Sequence, residues 1–472
     1  MSESPSFDLM AWASEYGATG KALSPDVETA LRQITPQQLC TDTRELKAGD
    51  IYVPLKGEHF DGHHFIEQAF EAGAVLALCA ADAPLETQRP VLRVDDTLKA
   101  FQDLARQWRR QCNVTVIGIT GSSGKTSTKE ILKQIFARDF KVHATPLNWN
   151  NEIGVPRTLL GLTPEHEVCL VEMGMRGEGQ IQELCVIAEP DYGVITNIGP
   201  VHMSELGSQE AITRTKWELA DWVMQYEGSR LVINTENSIL KEQYQALPPD
   251  ERSQVITISR DPQSTYSLLS LSASGHSQTP TQRIVYRTPQ QEECALTLDL
   301  LGEHQALNAL CGVALLHLLG HQLEKDSHIE VPRLSGRQEN TTLATGAVLI
   351  NDAYNANPDS MRAALNVLNQ LRAPRLAVLG FMGELGPDSE RYHRELGAFC
   401  QELNLAALVV VGDNARGILE GFGHSGIFCE DIPEAASALE ALLRAHPQAR
   451  VLIKASRSVA LERVIEHLEP LK

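Results

Sequence analysis

Apolar and polar positions along the chain fall into two alternating patterns. Short β-branched or aliphatic runs bounded by glycine, proline or polar turns have the look of buried strands, and longer stretches with apolar residues three and four apart have that of amphipathic helices. In the first part of the chain, residues 51–55 form a strand pattern between the turns Gly49–Asp50 and Lys56–Gly57. A central part follows, with strand-like runs at 114–119, 168–171, 192–196 and 231–233 and helical patterns between them. That alternation predicts a mainly parallel sheet. From 266 to 301 the pattern turns to short alternating β, followed by a helix at 306–319. The polar stretch 320–332, GHQLEKDSHIEVP, closes on Pro332 and is expected to be a linker. Strand and helix patterns then resume, with strands at 348–351, 376–379, 407–411 and 451–453 and a helix start at Asn357–Pro358, an N-cap with proline in the first position.

The fold class this predicts is α/β in three domains. A small α/β domain occupies 1–112, a central P-loop-type domain with a mainly parallel sheet and helices occupies 113–327, and a Rossmann-like domain without a GxGxxG signature occupies 328–472. A length of 472 residues suits that number of domains.

The most informative stretch is 114–130, VTVIGITGSSGKTSTKE. Its strand pattern runs into Gly121, Ser122, Ser123 and Gly124, then Lys125, Thr126 and Ser127, and a helix opens with Ile131, Leu132, Ile135 and Phe136 on one face. Strand, glycine loop and helix in that order make a phosphate-binding loop, because small residues let backbone N–H groups converge on phosphate oxygens at the positive end of a helix. Lys125 can reach the terminal phosphates and Thr126 can hold Mg²⁺. The spacing is TGxxGKT; the commoner GxxxxGK[ST] loop would need glycine where Ile119 stands. ATP is the expected ligand.

Composition narrows the partners. A net charge of −20 argues against nucleic acid and anionic membranes, while leaving small anionic substrates open. Nine cysteines without a CxxC pair fit thiols in a cytoplasmic protein. The opening MSESPSFDLM lacks a basic segment followed by an apolar core, and apolar runs such as 405–411 are far shorter than a membrane span. No signal peptide and no membrane association are expected.

Several polar groups sit at ends of expected strands, where open α/β sheets bind ligands. Glu172 follows the run VCLV, and His202 lies in TNIGPVH; each could ligate Mg²⁺ or be an ordinary core or surface residue. Lys216 falls on the apolar face of a helix at 208–223 with Ile212, Leu219 and Val223. A lysine there either snorkels to water or loses its charge. His304 and Asn308 are one helical turn apart in GEHQALN. Arg337, and the cluster Asp352, Tyr354, Asn355 and Asn357 in DAYNANPDS, could clamp a phosphate and accept ribose hydroxyls, or could form a capping turn. Lys454, Ser456, Arg457 and Ser458 make a basic turn suited to a carboxylate. Thr41, Asp42, Thr43 and Arg44 could hold a phosphorylated or sugar-bearing ligand, or be a plain polar loop.

Together TGSSGKTSTKE, NWNNEIGVP at 148–156, VEMG, NIGPVH, Lys216, GEHQALN, Gly336–Arg337, DAYNANPDSM and KASRS resemble the Mur ligase family of ATP-dependent amide-forming enzymes in peptidoglycan synthesis, along essentially the whole chain. YNANPDSM and the Glu384–Gly386 segment of GFMGELG point to the branch that adds D-alanyl-D-alanine to UDP-MurNAc-tripeptide. The resemblance implies that Lys216 is carbamylated and serves as a Mg²⁺ ligand with Thr126, Glu172 and His202. It implies that Lys125 acts on the phosphates, that His304 and Asn308 lie near adenine, and that Arg337 and Asp352 reach phosphate and ribose. It assigns the 41–44 loop and the 56–63 segment with Lys56 to UDP, and Asn148, Asn151, Tyr354, Asn355, Asn357 and the Lys454–Arg457 turn to substrate. The expected reaction passes ATP's γ-phosphoryl to the tripeptide carboxylate, and the dipeptide amine then displaces phosphate, in a chain acting as a monomer. Gln305, Phe381 and Ala455 depart from the residues usual at those places. Another ligase of the family, including a folylpolyglutamate synthase relative, or a nucleotide-binding protein with degenerate chemistry, are the alternatives.

Overall fold

A computed structural model describes residues 6–21, 23–57, 59–274, 280–423 and 425–468. The expectation for the first five residues, Glu58 of the 56–63 segment and residues 275–279 of the β-rich stretch lie outside the described residues.

The strands form three sheets, and the fold class is α/β as the patterning predicts. The first sheet has order β1-β5-β4-β3-β2, from β1 (Thr19–Lys21), β2 (Leu39–Cys40), β3 (Ile51–Tyr52), β4 (Leu76–Ala80) and β5 (Val91–Val94). Only its edge strand β1 is antiparallel. The strand expected at 51–55 shortens to two residues, Ile51–Tyr52. Pro54 has no N–H to give a ladder, although Val53 still donates to the Cys40 carbonyl at 2.8 Å.

The second sheet has ten strands: β6 (Thr115–Thr120), β7 (Val142–Ala144), β8 (Val168–Glu172), β9 (Tyr192–Ile195), β10 (Arg230–Asn234), β11 (Val255–Ser259), β12 (Tyr266–Ser274), β13 (Thr281–Arg287), β14 (Glu293–Leu298) and β15 (Ser327–Ile329). Its order is β15-β14-β13-β12-β11-β10-β9-β6-β8-β7. The stretch expected to be a linker carries β15, which pairs in parallel with β14 from Leu296↔Ser327 to Leu298↔Ile329. Ser327 and Ile329 point inward and His328 outward, a period-2 pattern too short to stand out in the polar sequence around it.

The third sheet has order β16-β17-β21-β18-β19-β20, from β16 (Glu339–Thr342), β17 (Val348–Asn351), β18 (Arg375–Gly380), β19 (Ala407–Val411), β20 (Ile427–Cys429) and β21 (Arg450–Lys454). It is parallel apart from the edge strand β16. Its strands bury both faces. Leu376, Val378, Val409, Val451 and Ile453 pack on one side, and Ala377, Leu379, Leu408, Val410 and Leu452 on the other. Continuous apolar runs are what a parallel sheet covered on both faces requires. Each fully buried valine or leucine contributes roughly 1.5–3 kcal/mol.

The chain divides into two compact units. One comprises residues 1–119, 136–174 and 180–193; the other comprises 120–135, 175–179 and 194–472. The second unit holds the glycine loop and all but the last residue of the helix it opens, Lys125–Phe136. It also holds the helix of Lys216, which runs Gln209–Met224 with Ser208 as its N-cap. The helix expected at 306–319 begins earlier, spanning Glu303–Leu318, so His304 and Asn308 lie in its first turns. Asn357 caps Pro358–Gln370 through a capping box with Ser360.

Candidate functional site

The glycine loop is held from behind by the segment after β9, Thr196 to Gly199. The Thr196 hydroxyl donates to the Ser123 carbonyl at 2.6 Å, and the Asn197 side-chain oxygen accepts from the Ser123 N–H at 2.8 Å. The Ser122 N–H donates to the Asn197 carbonyl at 3.0 Å, while the Ser122 hydroxyl meets both the carbonyl and the N–H of Gly199 at 2.9 Å. Gly121 has φ +150, and a Cβ there would lie 2.0 Å from the Thr196 hydroxyl; Gly124 has φ +79. Glycine is thus required at 121 by space as well as by backbone conformation. Asn197 was missed by sequence reasoning, although a Thr-Asn pair at a strand's end was visible in TNIGPVH.

Lys125 donates to the Gly121 carbonyl at 2.8 Å, Thr126 is buried and Ser127 partly so. Beside the loop, Asn308 lies 3.5 Å from where a Gly124 Cβ would stand. Its amide donates to Gln305 at 3.4 Å, so the departure at 305 orients Asn308.

Lys216 is 2 % exposed. Burial pushes its ammonium well below the usual lysine range, and the charge of Lys125 pushes the same way. His202 sits in the left-handed region, φ 54, with Nδ1 2.7 Å from a carboxylate oxygen of Glu384, itself at φ 61. The Met203 N–H donates to the Glu384 carbonyl at 2.8 Å. The His202 ring holds the Glu384 carboxyl below the usual range, against the effect of burial, with Arg176 and Lys125 assisting. Lys125 therefore acts electrostatically on both Lys216 and Glu384, which puts the loop lysine, Lys216 and the His202–Glu384 pair in one neighbourhood. His202, Glu205 and Glu384 offer ligand atoms within 4.8 Å of one another.

A second cluster joins β17, β21 and the turn before the Pro358 helix. Lys454, 3 % exposed, pairs with the Asp352 carboxylate at 2.6 Å and donates to the carbonyls of Asp352 and Asn355 at 3.2 and 2.9 Å. Its ammonium is taken up by these internal contacts. Ser456 likewise bonds the Ala356 carbonyl and the Gly383 N–H. Of the basic turn, Arg457 faces solvent, paired with Glu462 at 2.6 Å. The Arg337 guanidinium lies 4.2 Å from the Tyr354 ring centre. The Asp352 carboxylate accepts from the Gln338 N–H at 3.2 Å. Burial lowers the His304 imidazole to about 4, against the pull of Asp352.

In the first unit, Glu172 ends β8 and is 2 % exposed. One oxygen accepts from the Asn150 amide at 2.8 Å; the other is buried without a hydrogen-bond partner among the described residues. A buried carboxylate oxygen in that position is costly unless a cation or donor meets it. Asn150 is a second residue the sequence reading missed, one place from Asn151. The Asn151 side-chain oxygen accepts from the Gly154 N–H at 2.9 Å, just before the helix Gly154–Leu160, and Asn148 is exposed. Arg44 clamps Asp42 at 2.6 Å and holds that carboxyl at about 2; Thr41 and Thr43 are part-exposed, and Lys56 and Arg44 are exposed.

Family models agree with this layout. The Mur ligase family catalytic domain matches residues 37–109, the Mur ligase middle domain 119–316, and the Mur ligase glutamate ligase domain 336–457. A UDP-N-acetylmuramoyl-tripeptide–D-alanyl-D-alanine ligase of Synechocystis sp. is 37% identical over 440 residues, covering 91% of each chain. The Bacillus subtilis ligase of that name is 34% identical over 91% of this chain and 92% of its own. Among solved structures, MurF from Acinetobacter baumannii superposes with a TM-score of 0.86 at 29% identity, covering 99% of both chains. MurF from Thermotoga maritima in complex with ADP gives 0.81 at 26%, covering 93% of this chain and 99% of its own. With three family models in order and relatives of this identity over nearly the whole length, the chain belongs to the Mur ligase family.

Proposed function

We propose that this protein is an ADP-forming ligase that joins D-alanyl-D-alanine to the terminal carboxylate of UDP-MurNAc-tripeptide, at the expense of ATP. One observation carries the reading: the braced loop of 121–126 and its Lys125 sit in the electrostatic neighbourhood of a buried, charge-depleted lysine, in a chain 37% identical to a ligase of that name. Residues 1–112 would bind the UDP moiety, 113–327 the ATP, and 328–472 the dipeptide while covering ATP.

The chemistry is phosphoryl transfer followed by acyl transfer. The tripeptide carboxylate attacks the γ-phosphorus, ADP leaves, and the acyl phosphate is attacked by the dipeptide amine; the tetrahedral adduct then expels phosphate. Such catalysis is mostly positioning and charge neutralisation. The backbone N–H groups of Ser122–Thr126 and the Lys125 ammonium would cradle the phosphates. Asn308 and His304 would face adenine, and Arg337 and Asp352 the phosphates and ribose. Tyr354, Asn355 and Asn357 with the Lys454–Arg457 turn, Asn148 and Asn151, and the 41–44 loop with Lys56 would line the substrates.

The Thr126 hydroxyl and the His202 imidazole are donors that Mg²⁺ accepts, and within its own unit the Glu172 oxygen without a hydrogen-bond partner among the described residues has the chemistry of such a donor. When bound it would neutralise developing phosphoryl charge. Lys216 completes the set in our reading. Burial favours its neutral amine, which can add to CO₂ with loss of a proton and become a carbamate, an oxygen ligand of opposite charge. Among the described residues no helix is long and apolar enough to cross a membrane, and all nine cysteines are thiols. A cytoplasmic monomer is our reading of how the chain acts.

The test is ADP release by the purified protein. It should require UDP-MurNAc-tripeptide and D-alanyl-D-alanine together. Equal turnover with single amino acids would place the enzyme elsewhere in the family.

A further inference from the structure

The segment Gly383–Gly386 follows β18 in the C-terminal sheet and reaches the loop that carries His202. Three contacts fix it there: the Glu384 carboxylate on His202 Nδ1 at 2.7 Å, the Met203 N–H on the Glu384 carbonyl at 2.8 Å, and Gly386 against the Met203 backbone. For the last, a Cβ on Gly386 (φ +60) would stand 3.6 Å from the Met203 carbonyl. His202 and Glu384 both adopt left-handed backbone, φ 54 and φ 61, a conformation that costs a β-carbon-bearing residue free energy and persists where surroundings enforce it. Two such residues facing each other across a side-chain pair and a backbone bond make a built contact.

A carboxylate on one ring nitrogen decides the state of the other. With the Glu384 carboxylate 2.7 Å from Nδ1, the proton is favoured on Nδ1, which leaves the lone pair on Nε2 and restrains the ring. Carboxylates play this part for many histidines that bind cations, by fixing the tautomer and raising the basicity of the second nitrogen. The His202 loop is also the brace of the glycine loop, through Thr196, Asn197 and Gly199. Whatever orients residues 196–203 therefore bears on the phosphate-binding backbone.

We propose that Glu384 is a positioning residue, supplied by the C-terminal domain, which sets the tautomer and aim of His202 when that domain is docked. The inference rests on the reading of His202 as a cation ligand given above. It makes docking a condition for a competent site: with the C-terminal domain away, the imidazole is free to rotate and to exchange its tautomers.

The experiment compares wild type, Glu384→Ala and Glu384→Gln by two readouts. Mn²⁺ binding is followed by its electron paramagnetic resonance signal in the presence of ADP, and steady-state ADP release is measured with all substrates. We expect Glu384→Ala to weaken Mn²⁺ binding by about 10–100-fold and to lower kcat by a similar factor. The KM for the UDP-bearing substrate, bound by the N-terminal domain, should stay within about twofold, since the contact lies elsewhere. Glu384→Gln keeps an oxygen that accepts from Nδ1–H and should recover much of both losses. Circular dichroism and thermal midpoints establish that the variants are folded. Unchanged Mn²⁺ affinity and kcat in folded Glu384→Ala would overturn the proposal. So would a loss in Glu384→Gln as deep as in Glu384→Ala, because then charge rather than ring orientation is at work. If wild type binds Mn²⁺ with ADP yet makes no ADP from these substrates, the ligase reading fails while the Mn²⁺ comparison still decides the role of Glu384.

Discussion

Gly199 is the position where adding a single methyl group should report most directly on docking of the C-terminal domain. A Cβ built there lies 2.0 Å from a carboxylate oxygen of Asp359 and 3.1 Å from its Cγ. Real Cβ contacts essentially never fall below 3.0 Å, so one partner must move by 1 Å or more. Asp359 has little freedom to do so: it lies in the first turn of the capped helix Pro358–Gln370, and burial raises its carboxyl above the usual range. The same carboxylate lies 3.5 Å from the Asn197 amide. Gly199 itself has a backbone conformation that alanine can adopt, so strain at the site is steric alone. Overpacking of this kind costs about 1–3 kcal/mol. Charged against the docked arrangement, that is a fall of roughly 5–150-fold in kcat/KM. The assay is ADP release by Gly199→Ala, Asp359→Ala and the double variant, with thermal midpoints beside it. Removing the carboxylate opens the space, so Gly199→Ala should be nearly silent in the Asp359→Ala background, and the cycle isolates the clash from any separate role of Asp359. A Gly199→Ala enzyme within twofold of wild type, or an equal loss in both backgrounds, would refute the reasoning.

Other substitutions test the site from different sides. Lys216→Arg keeps a cation that cannot be carbamylated; activity should fall about 100- to 1,000-fold, as for removal of one preorganised electrostatic partner, and a ¹³C carbamate resonance present in wild type should vanish. Retained activity would sink the carbamate assignment. Asn150→Ala leaves the buried Glu172 carboxylate without the one donor it has among the described residues, and should cost about 1–3 kcal/mol in unfolding free energy, read by denaturant titration; an unchanged midpoint would show that water replaces the amide. His304 should titrate near pH 4 by NMR in the folded chain, against 6.5 for the unfolded ring. Because the unfolded chain takes up the proton first, His304 lowers stability as pH falls from 6.5 to about 4, by at most about 3 kcal/mol, and no further below. His304→Gln should flatten that part of the stability profile, and a ring titrating near 6.5 would show the buried environment to be wrong.

Some features of this protein were local and therefore legible in the sequence. The strand-loop-helix of 114–130 needs only its own residues, and Asn357–Pro358 signals a helix start by itself. The covered parallel strands 348–351 and 407–411 show as unbroken apolar runs because both their faces are buried. Lys216 stood out because a lysine on an apolar helical face conflicts with its surroundings, and its burial is what that conflict required. Tertiary structure decided what depended on a partner distant in sequence. Strand β15 exists because β14 offers it a ladder, which the polar stretch 320–332 could not announce. Asn150 rather than its neighbours holds Glu172, since chain direction at the turn chooses which of three asparagines faces the carboxylate. Lys454 is occupied by Asp352, 102 residues away, and so cannot be judged from the basic turn it belongs to. The contact of Glu384 with His202 is of the same kind: sequence supplies two ordinary polar residues, and only the docking of one sheet's loop on another's gives them a shared geometry.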